Sequence, residues 1–231
     1  MRINKYIAKS GYTSRRKADE LINKGKVKIN GNILTELGYD VADNDTVSIN
    51  EKVLRLEDYF YYKLNKPIGY ITSNFDPHNS KDLNNLMDIN EKFFAAGRLD
   101  KDSHGLLIIT NDGDFSNRLA HPSFKVDKEY IVKVTNLLTK QQCKEFKSGI
   151  DIGNGEFTNE SSLYFIGNNT YKVLISQGYN RQIRRMFAVF NSKVTDLKRT
   201  RIGSIKLQDL KLGTYQKFNK KDMEFVNLIK K

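Results

Sequence analysis

The sequence predicts an α+β protein in two consecutive modules. A small helix–helix–hairpin unit spans residues 1–55, and a larger unit with a mixed, mostly antiparallel sheet spans 59–231. Three observations lead there. Near the N-terminus the apolar positions change from helical spacing (Ile3, Tyr6, Ile7) to alternation (Val27, Ile29). Asn30-Gly31 is a pair that two-residue hairpin turns favour. Beyond Tyr59, apolar runs of strand length recur between turns, with only a few helical stretches among them. The 231 residues suffice for one or two cored domains, at roughly 100–200 residues each.

In the first module, residues 2–10 read as a short amphipathic helix, with Gly11 where a helix C-terminal glycine belongs. Thr13-Ser14 can cap a second helix that buries Ala18, Leu21 and Ile22 and stops at Gly25. Lys26–Asn30 alternates as a strand, turns at Asn30-Gly31 and returns through Ile33 and Leu34. Another short strand is expected over Thr46–Ile49, ending near Asn50. The charged stretch Glu51–Asp58 marks the boundary, without a Pro- or Ser-rich linker.

In the second module, Tyr59–Leu64 reads as a strand, residues 65–69 as a turn, and Tyr70–Ser73 as another strand. Leu106–Thr110 is a buried strand, followed by the turn Asn111–Asp114 and a helix beginning over Phe115–Ala120. Tyr130–Val134 and Tyr171–Ser176 are further strands. Thr139–Ser148 is a helix and Gly149–Gly155 a turn. Taken as a helix, Arg181–Asn191 gathers Ile183, Met186, Phe187 and Phe190 on one face, and sets Arg181, Arg184 and Arg185 on the other.

Charge narrows the function. Lys plus Arg total 39 against 27 acids, a net of +12. Residues 1–28 carry a net +7 (nine basic, two acidic) and residues 171–201 another +7 (eight basic, one acidic), so the rest is slightly acidic. Two basic patches on a nearly neutral body suit a polyphosphate, most simply nucleic acid. With 39% hydrophobic and 11% aromatic residues, the chain is neither disordered nor membrane-spanning in composition. No apolar run approaches the ~18 residues of a spanning helix, and Met1–Lys5 lacks the apolar core of a secretory signal, so a cytoplasmic protein is expected. The lone Cys143 excludes an internal disulfide and a cysteine-based zinc site. His78, His104 and His121 show no ligand spacing.

Arg15, Arg16 and Lys17 fall in the first turn of the second helix, where the helix dipole disfavours cations. Breaking a local rule marks a candidate functional site, here one that grips phosphate. The segment Gly97-Arg98-Leu99-Asp100-Lys101-Asp102-Ser103-His104-Gly105 admits several readings. An aspartyl phosphatase would place its nucleophile after an apolar strand, and Ala95–Arg98 is a poor one. A calcium loop would need an acid where Asn111 stands. A plain solvated turn also fits. Tyr130, opening a strand after Lys128-Glu129, reads equally as a core residue. The arginines of 181–185 read as a solvated face or as forks for carboxylate or phosphate.

The first module resembles the small RNA-binding domain named after the fourth small-subunit ribosomal protein, through Arg2–Ile7, Thr13–Asp19 and Gly25–Gly31. That likeness implies structured-RNA binding through Lys5, Arg15, Arg16, Lys17, Lys26 and Lys28. The whole chain resembles the RsuA-type family of ribosomal-RNA pseudouridine synthases. Four motifs in order carry the likeness: Lys66-Pro67-Ile68-Gly69, Gly97–Asp100 with Gly105-Leu106-Leu107, Lys128-Glu129-Tyr130, and Asn180–Met186. Asp100-Lys101-Asp102-Ser103 looks most like the RluF-type branch, which modifies large-subunit RNA. The resemblance implies isomerisation of uridine to pseudouridine without cofactor or metal, by a monomer acting on ribosomal RNA. Asp100 would be the nucleophile, attacking ribose or base. Arg184 would pair with it, and Tyr130 would stack on a flipped-out uracil. Ile183 would pack near the base, and Arg98, Arg181 and Arg185 would bind the substrate. The alternatives are a non-catalytic RNA-binding or ribosome-assembly protein, which has no use for Asp100 beside Arg184, and a phosphotransferase, for which no phosphate-binding loop is present.

Overall fold

A computed structural model describes residues 1–74 and 81–230, so His78 lies outside the described residues. The chain divides into two compact units, residues 1–59 with Asn90–Lys92, and the remainder.

The first unit contains helices α1 (Ile3–Lys9) and α2 (Arg15–Asn23) and strands β1 (Val27–Ile29), β2 (Asn32–Ile33), β3 (Val47–Ile49) and β4 (Lys52–Val53). The Ser14 side chain caps α2 by accepting from the Lys17 amide. Asn30 and Gly31 both have positive φ (51° and 86°), the geometry of the primed turn that joins β1 to β2. The strands lie in the order β2-β1-β3-β4. Ile3, Ile7, Ala18, Ile22, Val27 and Ile49 form the centre of the core. Leu21 is only partly buried against it. A second hairpin, β3–β4, was not expected. Asn50 and Glu51 turn it with φ of 48° and 63° and without a glycine to announce it.

The second unit contains β5 (Tyr61–Lys66), β6 (Phe94–Ala96), β7 (His104–Thr110), α3 (Gly113–Ala120), β8 (Lys128–Val134), α4 (Lys140–Ser148), β9 (Ser162–Gly167), β10 (Thr170–Ile175), α5 (Gln182–Ala188), β11 (Val194–Ile202), β12 (Ile205–Lys206), β13 (Tyr215–Lys217) and α6 (Lys220–Lys230). Among the described residues nine strands form one sheet in the order β13-β5-β7-β11-β8-β10-β9, with β12 on β11 and β6 on β7. Among the described residues only the β7–β11 pairing is parallel, which makes the sheet mixed and mostly antiparallel.

Several expected boundaries move. β5 runs to Lys66 because its ladder with β7 extends from Tyr61–Thr110 to Lys66–Gly105, which draws residues 65 and 66 out of the expected turn. Tyr70–Ser73 forms no strand. Its backbone meets the 81–83 segment, and the Thr72 hydroxyl is taken by Leu99. α3 starts at Gly113 because Asp112 caps it, accepting from the amides of Asp114 and Phe115. The helix expected from Arg181 begins at Gln182. α6 is held by the buried Lys63–Asp222 ion pair (3.0 Å) and by Lys230 on Asp112 (2.7 Å). Among the described residues no helix is long and apolar enough to cross a membrane.

Candidate active site

The loop between β6 and β7 carries Asp100, and its backbone is pinned at every carbonyl from 98 to 102. Arg98 O accepts from Arg199 Nη1 (3.0 Å), and Leu99 O from the Thr72 hydroxyl (2.5 Å). Asp100 O accepts from the Ser103 amide (3.1 Å), and Lys101 O from the Gly69 amide (2.7 Å). Asp102 O accepts from Arg184 Nη2 (2.7 Å). The Leu99 amide returns a bond to Thr72 Oγ1 (3.1 Å). A loop held this way presents the Asp100 side chain in a fixed orientation. It closes onto β7 at Gly105, where β7 and β11 run parallel in contact. A Cβ at Gly105 would lie 2.3 Å from Arg199 O, and φ there is +104°, so only glycine fits.

Asp100 opens onto a cavity of about 400 Å³ whose wall includes Arg98, Tyr130, Arg181, Ile183, Lys128 and Arg199. β8 brings Tyr130 and Lys128 to the same face of the sheet as Arg199 of β11, with Tyr130 and Arg199 as register partners. Tyr130 and Ile183 are buried, while Arg98 is exposed at the rim.

The arginines of α5 divide their work differently from expectation. Arg181 stands at the helix cap in left-handed conformation (φ 51°), not in the helix. It forks onto Asp102 (3.0 and 2.8 Å) and lies 3.9 Å from the Asp100 carboxylate. Arg184, expected on Asp100, instead donates to Asp102 O, Ser103 Oγ (3.2 Å) and Val194 O (3.1 Å), with Nε 3.4 Å from the Asp102 carboxylate. The displaced cap explains the exchange, because Arg181 reaches forward from a non-helical backbone into the place assigned to Arg184. Arg185 is absent from the cavity wall. Its guanidinium is spent on the carbonyls of Ile152, Gly153 and Asn180 and on the Glu156 carboxylate.

These contacts set the local electrostatics. The Arg181 hydrogen bond, seconded by Arg184, holds the Asp102 carboxyl below its ordinary range against partial burial. Burial lowers the Arg184 guanidinium, and Asp102 pulls it back up. Two lysines that the sequence did not single out for themselves are strongly affected. Burial brings Lys66 down to about 8, with Asp100 opposing, and burial with the Arg199 charge brings Lys128 down to about 8. Lys66 is fully buried and donates to Pro67 O (2.9 Å) and Tyr70 O (2.7 Å).

The Lys66 shift has a signed consequence. The unfolded chain keeps this proton to pH 10.5, whereas the folded chain sheds it near 8. Between those values the unfolded state binds more protons, so the Lys66 contribution to stability rises with pH. Urea unfolding of wild type against Lys66→Met should show the difference growing in favour of wild type above pH 8, by at most about 1.4 kcal/mol per pH unit. A flat difference from pH 7 to 10 would rule out such a shift.

No group of three or more metal-ligating side chains occurs among the described residues. In the first unit, Arg15, Arg16, Lys17 and Lys26 are exposed, and Lys5 is half-buried. Lys28 is paired with Glu51 at 2.6 Å.

The mixed sheet and the Asp100 carboxylate, carried on a pinned loop at a cavity of about 400 Å³, give the architecture and the site that the comparisons identify. Residues 60–189 match the RNA pseudouridylate synthase family, and residues 1–47 match the S4 domain. Ribosomal large subunit pseudouridine synthase B of Bacillus subtilis (strain 168) is 36% identical over 92% of this chain and 89% of its own length. The dual-specificity RNA pseudouridine synthase RluF of Escherichia coli (strain K12) is 34% identical over 100% of this chain and 79% of its own. A crystal structure of a pseudouridylate synthase superposes with a TM-score of 0.73 at 28% identity, covering 98% of this chain and 99% of that one. The chain belongs to the RNA pseudouridylate synthase family, whose members isomerise uridine to pseudouridine, and it carries an S4 domain in front.

Sequence reading missed Thr72, Lys128 and Arg199 as parts of this site. For Arg199 a signal existed: it occupies an inward position two residues after buried Leu197, where a strand would place an apolar side chain.

Proposed function

We propose that this chain converts a uridine of large-subunit ribosomal RNA to pseudouridine in the cytoplasm, as a monomer without cofactor or metal. Residues 59–231 are the catalytic domain and residues 1–55 the RNA-binding domain. In the reaction the bond from ribose C1′ to N1 of uracil breaks and a bond from C1′ to C5 forms. The C5 proton leaves and N1 gains one, so nothing is oxidised or reduced overall. Asp100 is the nucleophile that carries the detached fragment. Tyr130 stacks on the flipped base and takes the C5 proton, with Ile183 packed beside the ring. Arg181, 3.9 Å from the Asp100 carboxylate, orients it, Arg184 holds the loop, and Arg98 at the rim meets the neighbouring phosphates. The observation that carries this reading is the pinned Asp100 loop opening onto the same cavity as Tyr130 and Ile183. Pseudouridine mapping of total RNA from cells with and without the protein tests it. Loss of a large-subunit position, restored on re-expression, is expected, and an unchanged map overturns the reading.

Exposed Arg15, Arg16 and Lys17 sit at the start of α2, and Lys26 is exposed nearby in sequence. Each phosphate neutralised adds about 0.7–0.9 to the slope of log K against log salt. Replacing Arg15, Arg16 and Lys17 with Ala should therefore flatten that slope by about 2–3 while single-turnover chemistry at saturating enzyme is kept. An unchanged slope would place the RNA elsewhere.

A further inference from the structure

The mechanism leaves the buried cation of the cavity wall without a task. Arg199 is 3% exposed, on the central strand β11, and belongs to the wall of the Asp100 cavity. Its Nε donates to Leu106 O (2.7 Å) and its Nη1 to Arg98 O (3.0 Å), carbonyls on either side of the Asp100 loop. Its guanidinium carbon lies 6.0 Å from the centroid of the Tyr130 ring. Nη2 is buried and meets no acceptor among the described residues. A buried guanidinium N–H without an acceptor is costly, and natural sites supply the acceptor. The two carbonyls occupy Nε and Nη1 and leave Nη2 without a partner.

We infer that Arg199 is a further substrate-contacting residue, whose free Nη2–H donates to a carbonyl oxygen of the uracil held in this cavity. The guanidinium is planar and fixed on two sides, so its remaining N–H keeps one direction, and the base meets it once the wall that covers it gives way. Uracil offers carbonyl oxygens at C2 and C4, and both gain electron density when the glycosidic bond breaks and the ring departs as an anion. A fixed cation at one of them therefore favours the departing ring more than the bound uridine. Beside Tyr130, the same group also identifies the ring by its oxygen as well as by its face.

The inference rests on the cavity being the uridine site. Wild-type turnover of ordinary RNA, and its loss in Asp100→Asn, report on that reading separately. The test uses the full chain and an RNA fragment containing the mapped target, with uridine, 2-thiouridine or 4-thiouridine at that position, since sulfur is a poorer acceptor than oxygen. Single-turnover rates are measured at saturating enzyme. One of the two thio substitutions should slow wild type by about fivefold or more. Arg199→Lys, with Arg199→Gln as a second variant in case the ammonium disturbs folding, should lower the uridine rate by about tenfold or more and lose sensitivity to that same sulfur. If the variant slows all three substrates by one common factor, Arg199 acts only by holding the loop and the contact is refuted. Wild type indifferent to sulfur at both positions refutes it equally.

Discussion

Asp100→Asn should abolish pseudouridine formation, lowering the single-turnover rate by about a thousandfold or more, equivalent to at least ~4 kcal/mol of transition-state stabilisation. The side chain keeps its size, and the loop that bears it is held through backbone carbonyls from 98 to 102, none of which depends on the Asp100 carboxylate. Folding and RNA affinity should therefore remain within a small factor of wild type, because the cation facing that carboxylate, Arg181 at 3.9 Å, is partly exposed and the pair contributes little to stability. What disappears is the carboxylate that the proposed mechanism uses to form and release a bond to the substrate. The neighbouring acid provides the control. Asp102 receives the Arg181 fork and its main chain is bound by Arg184, so Asp102→Asn loosens Arg181 but leaves Asp100 in place and its loop pinned. Its cost should stay within about tenfold. Equal losses at the two positions would mean that the carboxylates act as a pair, and Asp100→Asn turning over within tenfold of wild type would remove it from the chemistry.

Where local chemistry decides structure, the sequence was readable. Ser14 caps α2, Asn30-Gly31 turns β1 into β2, and Thr139 caps α4, all by interactions within three residues. The apolar stripe of α5 is likewise buried through Ile183, Met186 and Phe187. Illegibility begins where partners are distant in sequence. β11 is not legible in the sequence because its alternation is broken by register shifts at Val194/Asp196 and Arg199/Arg201, and because an arginine occupies one of its buried positions. Tyr70–Ser73 has strand-like residues, but its backbone bonds to the 81–83 segment and its Thr72 hydroxyl serves the Asp100 loop 27 residues away. The same limit governs the site. Residue spacing placed Arg181, Arg184 and Arg185 on one polar face, but which carboxylate each reaches depends on a left-handed cap at Arg181 and on the carbonyls of the 152–153 turn. Neither of those is encoded in helical periodicity.

That redistribution changes what Arg184→Lys should do. The guanidinium ties three places together: the loop at Asp102 O and Ser103 Oγ, the start of β11 at Val194 O, and its own helix α5. A lysine ammonium brings one nitrogen where Arg184 brings Nη1 to Val194 and Nη2 to the loop, so it can serve one end of this tie but not both. Released from α5, the loop would lose the restraint at residue 102, two positions beyond Asp100, and displacements of an ångström at a reacting group cost about a hundredfold. Arg184→Lys should therefore reduce the single-turnover rate by between about tenfold and a hundredfold. RNA affinity and its salt dependence should barely move, since Arg184 is largely buried and occupied by protein acceptors, not free for phosphate. A phosphate-gripping Arg184 would give the reverse pattern, with a lysine that chemically serves well and a salt slope that changes. Wild-type single-turnover speed in Arg184→Lys would mean that the loop holds its position through Thr72, Gly69 and Arg199 alone. It would leave Arg181, 3.9 Å from the carboxylate, as the cation on which Asp100 depends.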